Sequence, residues 1–151
     1  MQRFMKYPPL VTFIFMLYIL FTAQLTYAFE WQILGLDWLA YIISVISMLV
    51  IISGGLQFRK VNTTVDPTTP EKTTSLVTTG IYSYTRNPMY LGLLGFLLVE
   101  SLLLGSLLSL LWLPIYIIIM NRRFIKPEES ALLSLFEHDF TRYQLRVRRW
   151  I

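Results

Sequence analysis

Residues 89–120 read MYLGLLGFLLVESLLLGSLLSLLWLPIYIIIM, an apolar run whose one formal charge is Glu100. Its length sets the problem. About 32 residues of helix would extend roughly 48 Å, too long for one ordinary crossing of a hydrocarbon core of about 30 Å and short for two. Charge decides the reading, because Arg86 precedes the run and Arg122, Arg123 and Lys126 follow it. A single crossing would place one basic cluster on each side of the bilayer, against the positive-inside tendency. Borrowing the flanks, the run becomes two spans, 87–106 and 107–124, joined by a tight turn near Gly105-Ser106. Gly92, Gly95, Ser101 and Gly105 offer small faces for close helix packing, and Pro114 is expected to kink the fourth span.

Moving toward the N-terminus, residues 59–86 form the one long polar connection, with Pro67, Pro70 and eight threonines between Thr63 and Thr79. Pro and Thr argue against a regular helix in its first half. Its second half, Ser75 to Tyr84, reads either as flexible loop or as a segment ordered because it lines a pocket. Before it, residues 38–58 and 10–29 are uncharged and long enough to span. A cleaved signal peptide is the rival for the first of these, but its apolar part exceeds the usual 7–15 residues or so. Arg3 and Lys6 precede the first span and Arg59-Lys60 close the second, whereas the connection from Glu30 to Asp37 has no Lys or Arg. Both termini are therefore expected on the cytoplasmic side.

Beyond the hairpin, residues 127–150 read as an amphipathic helix on the cytoplasmic leaflet. Leu132, Leu133, Phe136, Phe140, Tyr143, Val147 and Trp150 recur at steps of three and four, with Pro127 in the first turn. The fold class expected is an all-α membrane protein: four transmembrane helices plus this C-terminal amphipathic helix, in one domain. Composition agrees. The 151 residues are 55% hydrophobic and 15% charged, far from the roughly 25% charged average of soluble domains. Without Cys and with His138 as the single histidine, no disulfide, thiolate nucleophile or multi-histidine metal site is expected. The net charge of +4 sits beside apolar segments, pointing to topology and anionic lipid rather than to nucleic acid.

Chemistry is concentrated around 76–92, LVTTGIYSYTRNPMYLG, and the pair Glu128-Glu129. Each part has a plain explanation: Asn87 as helix N-cap, Pro88 as first helical residue, Arg86 as interfacial anchor, Tyr90 as interfacial ring, the two carboxylates as a favourable first turn. Yet the topology returns Glu128 to the membrane face that holds Arg86 to Tyr90 and the Thr-rich connection. Carboxylates, an amide, tyrosines and backbone amides would then meet in one interfacial cleft, fit for a polar, partly cationic small molecule beside a lipid chain.

This ordered set, LVTTGIYSYTRNPMYLG, a hydrophobic hairpin, EE, then LFEHDFTRYQLRVRRWI, resembles the isoprenylcysteine carboxyl methyltransferase and phospholipid methyltransferase group of membrane enzymes. The resemblance covers roughly 63–151. It implies S-adenosylmethionine as cofactor and in-line methyl transfer to a lipid or isoprenoid-linked acceptor, with phospholipid N-methylation as the alternative. Carried over by position, the cofactor contacts fall on Thr74, Ser75, Leu76, Val77, Tyr82, Asn87, Pro88, Met89, Tyr90 and Glu128, with Arg86 and Glu129 in the same motifs. No catalytic base stands out, and no metal is implied. Asn87 stands where the eukaryotic enzymes have His, and Glu137 where the family often has Gly. A substrate-contacting arginine aligns with Phe124, leaving neighbouring Arg123 as the candidate for that role.

Two further residues invite other readings. Glu100 lies inside the third span, where ionisable groups are costly and often functional, so a small four-span transporter is the rival of another class. It can also sit near the outer turn and reach water. His138, beside Asp139, reads as a solvated or interfacial residue. The expected location is multi-pass in a membrane, the plasma (inner) membrane in a bacterium.

Overall fold

The computed structural model describes residues 7–26, 35–60 and 75–151. Thr74, the first half of the Thr-rich connection, the basic N-terminal residues Arg3 and Lys6, and residues 30–34 lie outside them. The described chain is all-α: α1 (Pro8–Thr26), α2 (Asp37–Lys60), a 3₁₀ turn (Gly80–Ser83), α3 (Pro88–Leu103), a second 3₁₀ turn (Leu108–Leu111), α4 (Trp112–Met120), a π-helical turn (Asn121–Ile125) and α5 (Lys126–Arg146). Among the described residues, three helical stretches are long and apolar enough to cross a membrane: Pro8–Thr26, Asp37–Lys60 and the continuous Leu108–Arg146. α3 is equally apolar but has 16 residues, about 24 Å of helix, short of the usual span.

α3 is the centre of the bundle, packed against α1, α2 and α4. Val11, Phe15 and Ile19 of α1, Tyr90 and Leu97 of α3, Tyr116 and Met120 of α4, and Phe124 and Ile125 of the π turn share one core. Polar bonds tie α1 to α4 inside this apolar surround: Thr12 Oγ1 and Tyr116 OH lie 2.8 Å apart, Ser109 Oγ donates to the Ile19 carbonyl, and Trp112 Nε1 donates to Thr22 Oγ1. Their order along the two helices makes α1 and α4 antiparallel. Such pairs satisfy groups that hydrocarbon would leave unpaired. α2 and α3 approach closely at Gly92, where a Cβ would lie 2.7 Å from the Ser47 carbonyl oxygen.

The hairpin turn falls where the sequence places it. α3 ends at Leu103 with Leu104 as its C-cap, and Gly105 takes a φ of +63° that favours glycine. Pro114 stands just inside α4. It is the third residue of α4, directly after a 3₁₀ turn, so its missing N–H falls where the continuous helix passes from 3₁₀ to α geometry.

Two further expectations about the C-terminal region change. No separate helix starts at Pro127, because backbone from Leu108 to Arg146 is continuous through the π turn. Pro127 cannot donate to the Arg123 carbonyl, and the wider π turn just before it accommodates that missing bond. Glu128 and Glu129 therefore do not sit at a free helix end with an exposed dipole. The helix also stops at Arg146 rather than 150: Val147 is extended, and residues 147–151 turn back across the start of α3. Within α5 the backbone breaks at Glu137, whose φ is +24°.

Candidate active site

Three segments distant in sequence converge at one end of the bundle. The start of α3 arrives with the short irregular segment Thr85 to Asn87, the 3₁₀ turn places Tyr82 against Phe58 at the end of α2, and the π turn leads into the first turn of α5. Between them is a cavity of about 330 Å³, within the range of small-molecule sites. Its lining includes Ser75, Leu76, Val77, Tyr82, Arg86, Asn87, Pro88, Met89, Tyr90, Glu128 and Glu129. Every cofactor residue expected from the sequence except Thr74, outside the described residues, is thus at one cavity.

The lining residues do different things. Tyr90 OH donates a short hydrogen bond to Glu128 Oε1. Burial pushes the Glu128 carboxyl up to about 7, the Glu129 charge adds to the rise, and the Tyr90 bond opposes it. Tyr82, buried and close to Tyr143 and Glu128, is held well above the usual phenol range and stays neutral. Its carbonyl accepts a 2.6 Å hydrogen bond from Tyr143 OH, which fixes the 3₁₀ turn to α5.

Glu129 is in the opposite condition. Burial alone would raise it, but bonds from Arg149 and Arg86, and their charges, outweigh burial and hold it below the carboxylate range. Arg86 Nη2 donates to Glu129 Oε1 at 2.7 Å, and Arg149 Nε to the same oxygen at 3.0 Å. Arg86 Nη1 caps the end of α5 through the Gln144 and Val147 carbonyls. Asn87 occupies the N-cap position of α3, yet its side chain does no capping: Nδ2 donates to the Arg149 carbonyl at 2.9 Å.

The cavity thus has one ionisable carboxyl, Glu128, that is paired with no cation among the described residues. Arg86 is the only Lys, Arg or His among the described lining residues, and both of its Nη groups are committed. Glu128, Tyr90 and Tyr82 bring a carboxyl and two phenols to the lining, which Ser75, Leu76 and Val77 join. Met89, Leu93, Phe58 and Leu132 make the rest apolar. A donor set of this kind fits S-adenosylmethionine, whose sulfonium and ammonium need a carboxylate and whose adenine needs an apolar, aromatic wall.

Not every sequence candidate reaches the cavity. Arg123 is exposed on the π turn and does not line it, because the turn directs neighbouring Phe124 and Ile125 into the core. Glu100 is near the far end of α3; its Oε2 is buried without a hydrogen-bond partner among the described residues. His138 is exposed, 3.4 Å from Arg142. Sequence reasoning missed Phe58, Leu93, Tyr143 and Arg149. Tyr143 had a signal, its place in the apolar stripe. Arg149 had none, since its neighbours Arg146 and Arg148 make it look like one more surface charge.

Comparison with known proteins shows which family the chain resembles. The profile of the family described as phospholipid methyltransferase matches residues 36–139, from the residue before α2 into the second half of α5. An uncharacterized protein of Haemophilus influenzae is 43% identical over 63 residues, 42% of this chain and the whole of that protein. The protein-S-isoprenylcysteine O-methyltransferase of Schizosaccharomyces pombe is 35% identical over 72 residues, 48% of this chain but only 30% of that enzyme. No solved structure matches the chain. The family profile covers well over half of the sequence, including α2, α3 and the Glu128-Glu129 pair, and on that match the protein belongs to the phospholipid methyltransferase family.

Proposed function

We propose that the protein is an S-adenosylmethionine-dependent methyltransferase acting on a lipid or isoprenoid-linked acceptor, with the methyl donor held in the cavity between α3 and α5. The observation that carries this reading is the Glu128 carboxyl, bonded to Tyr90 and facing a cavity whose one cation among the described residues, Arg86, is paired with Glu129 instead. A cationic ligand would supply the missing charge. When bound, S-adenosylmethionine supplies an electrophilic methyl group on a sulfonium. The chain's own part is to hold and orient: Glu128 and the Ser75 to Val77 backbone grip the polar groups, Tyr82 and Tyr90 exclude water, and the apolar wall at Met89 and Leu93 receives an acceptor chain.

The same reading includes four membrane crossings, with α3 extended by its flanks as the short third span, and both termini in the cytoplasm. Arg59 and Lys60 end α2 on the cavity side, and Arg122, Arg123 and Lys126 flank the π turn there, as the positive-inside tendency requires.

For the acceptor, a phospholipid amine and a carboxylate are the two readings: both Arg86 Nη groups are engaged with Glu129 and the end of α5, while its buried Nε has no hydrogen-bond partner among the described residues. Incubating the purified protein with methyl-labelled S-adenosylmethionine and either aminophospholipid vesicles or a prenylcysteine analogue tests both levels. Label in the phospholipid supports the amine, and label in the analogue supports the carboxylate. Label in neither, from protein that binds the donor, would require another acceptor.

A further inference from the structure

We propose that Arg149 is a positioning residue of the site, the pin of a clasp by which residues 147–151 lock the starts of α3 and α5 into one geometry. This rests on the proposed methyl-donor site, and nothing in the comparisons assigns the residue.

The clasp is visible as bonds to both sides. Toward α5, Arg149 meets Glu129 with two nitrogens on two oxygens, Nε on Oε1 at 3.0 Å and Nη2 on Oε2. This is the paired geometry that a guanidinium forms with a carboxylate and that lysine cannot copy. Toward α3, the Arg149 carbonyl accepts from Asn87 Nδ2 at 2.9 Å and from Thr85 Oγ1 at 3.4 Å, while the Arg148 carbonyl accepts from the Arg86 amide at 3.0 Å. Trp150 adds an anchor on the π turn, its Nε1 donating to Asn121 Oδ1 at 3.1 Å. A five-residue segment thus touches the residues before the first turn of α3, the first turn of α5 and the π turn between α4 and α5.

Its consequence falls on the cavity. Glu129 is the neighbour of Glu128, and Asn87 leads into Tyr90, so the Tyr90–Glu128 bond joins two elements whose backbones the clasp holds. Arg86 and Glu129 are accordingly members of the clasp first: their side chains are used by the protein itself, and the carboxyl left for a ligand is Glu128. With Arg149 removed, Glu129 keeps only Arg86, and Arg86 is shared with the end of α5.

The test uses the full chain in detergent, with the variants Arg149→Gln, Arg149→Lys, Glu129→Gln and the double Glu129→Gln/Arg149→Gln. Two readouts are taken: calorimetric binding of S-adenosylhomocysteine, and amide exchange without ligand. Arg149→Gln should weaken binding about tenfold, as expected for loss of a charged hydrogen-bonded pair. It should also raise exchange in peptides covering 85–91 and 126–132. Arg149→Lys should recover part of both, and the double variant should be no worse than Glu129→Gln alone. Unchanged affinity in Arg149→Gln, exchange that rises only at 147–151, or losses that multiply in the double variant would overturn the proposal. If the wild-type protein binds no S-adenosylhomocysteine, the methyl-donor reading fails, and the exchange arm still decides whether the clasp orders the two helix starts.

Discussion

At the scale of single residues, the neighbouring carboxyls Glu128 and Glu129 have opposite electrostatic fates. Glu128 rises from an ordinary 4.5 to about 7 because it is buried and lies beside the Glu129 charge, while Glu129 is held down by two arginines. The sign of the stability effect follows. A carboxyl whose folded value exceeds its unfolded one contributes stability that is present below about 4.5 and is lost as pH rises through about 7. For Glu128 that loss is at most about 3 kcal/mol. The ligand-free protein should therefore show a falling apparent melting temperature between about pH 5 and about pH 8, and Glu128→Gln should flatten the profile. A variant profile as steep as the wild type would assign the slope to another group. Glu129 acts in the other sense: its contribution is present above about 4.5 and lost as pH falls further. This division could not be seen in the letters EE. Both residues were legible as site members through their motif, but their separate roles depend on Arg149, which one more basic letter in RVRRW does not advertise.

At the scale of elements, the π turn and the break at Glu137 shape α5. Glu137 holds a φ of +24°, a conformation costly for a residue with a Cβ and open to glycine. Glu137→Gly should raise stability by about 1 kcal/mol, and Glu137→Val should lower it by a similar amount or more, as read from thermal inactivation in detergent. If both variants lower stability, the break is held by the Glu137 side chain rather than tolerated in spite of it. The α2–α3 contact gives a second case. Gly92→Ala forces a Cβ to 2.7 Å from backbone at Ser47 and should cost about 1–3 kcal/mol, whereas Gly55→Ala, with nothing within 4 Å, should be near neutral. Equal effects at the two glycines would remove the packing argument. Helix starts and the Gly105 turn were readable from Pro, Gly and charge. The end of α5 was not, because the Gln144 and Val147 carbonyls there are satisfied by Arg86 from far along the chain rather than by a local stop signal.

At the scale of the whole molecule, apolar runs and basic flanks made the all-α membrane architecture legible, and the antiparallel pairs α1–α4 and α2–α3 follow the expected up-and-down order. The length of α3 was harder to read, since a 32-residue apolar run divides unequally once the second 3₁₀ turn and the π turn are included. Four crossings are open to a direct test, because the chain has no Cys to give background labelling. Single cysteines at Lys60 and Lys126 should react with an impermeant maleimide from one side of sealed vesicles, and those at Asp37 and Leu107 from the other. Reaction of Leu107→Cys from the side of Lys126→Cys would reduce the count. The central claim is that the cavity between α3 and α5 holds the methyl donor, and calorimetric titration of S-adenosylmethionine into the detergent-purified protein and its Glu128→Gln variant tests it most directly. The account predicts saturable one-site binding that Glu128→Gln weakens at least tenfold, the scale of a hydrogen-bonded charge. No binding by well-folded wild-type protein, or equal affinity in the variant, would contradict it.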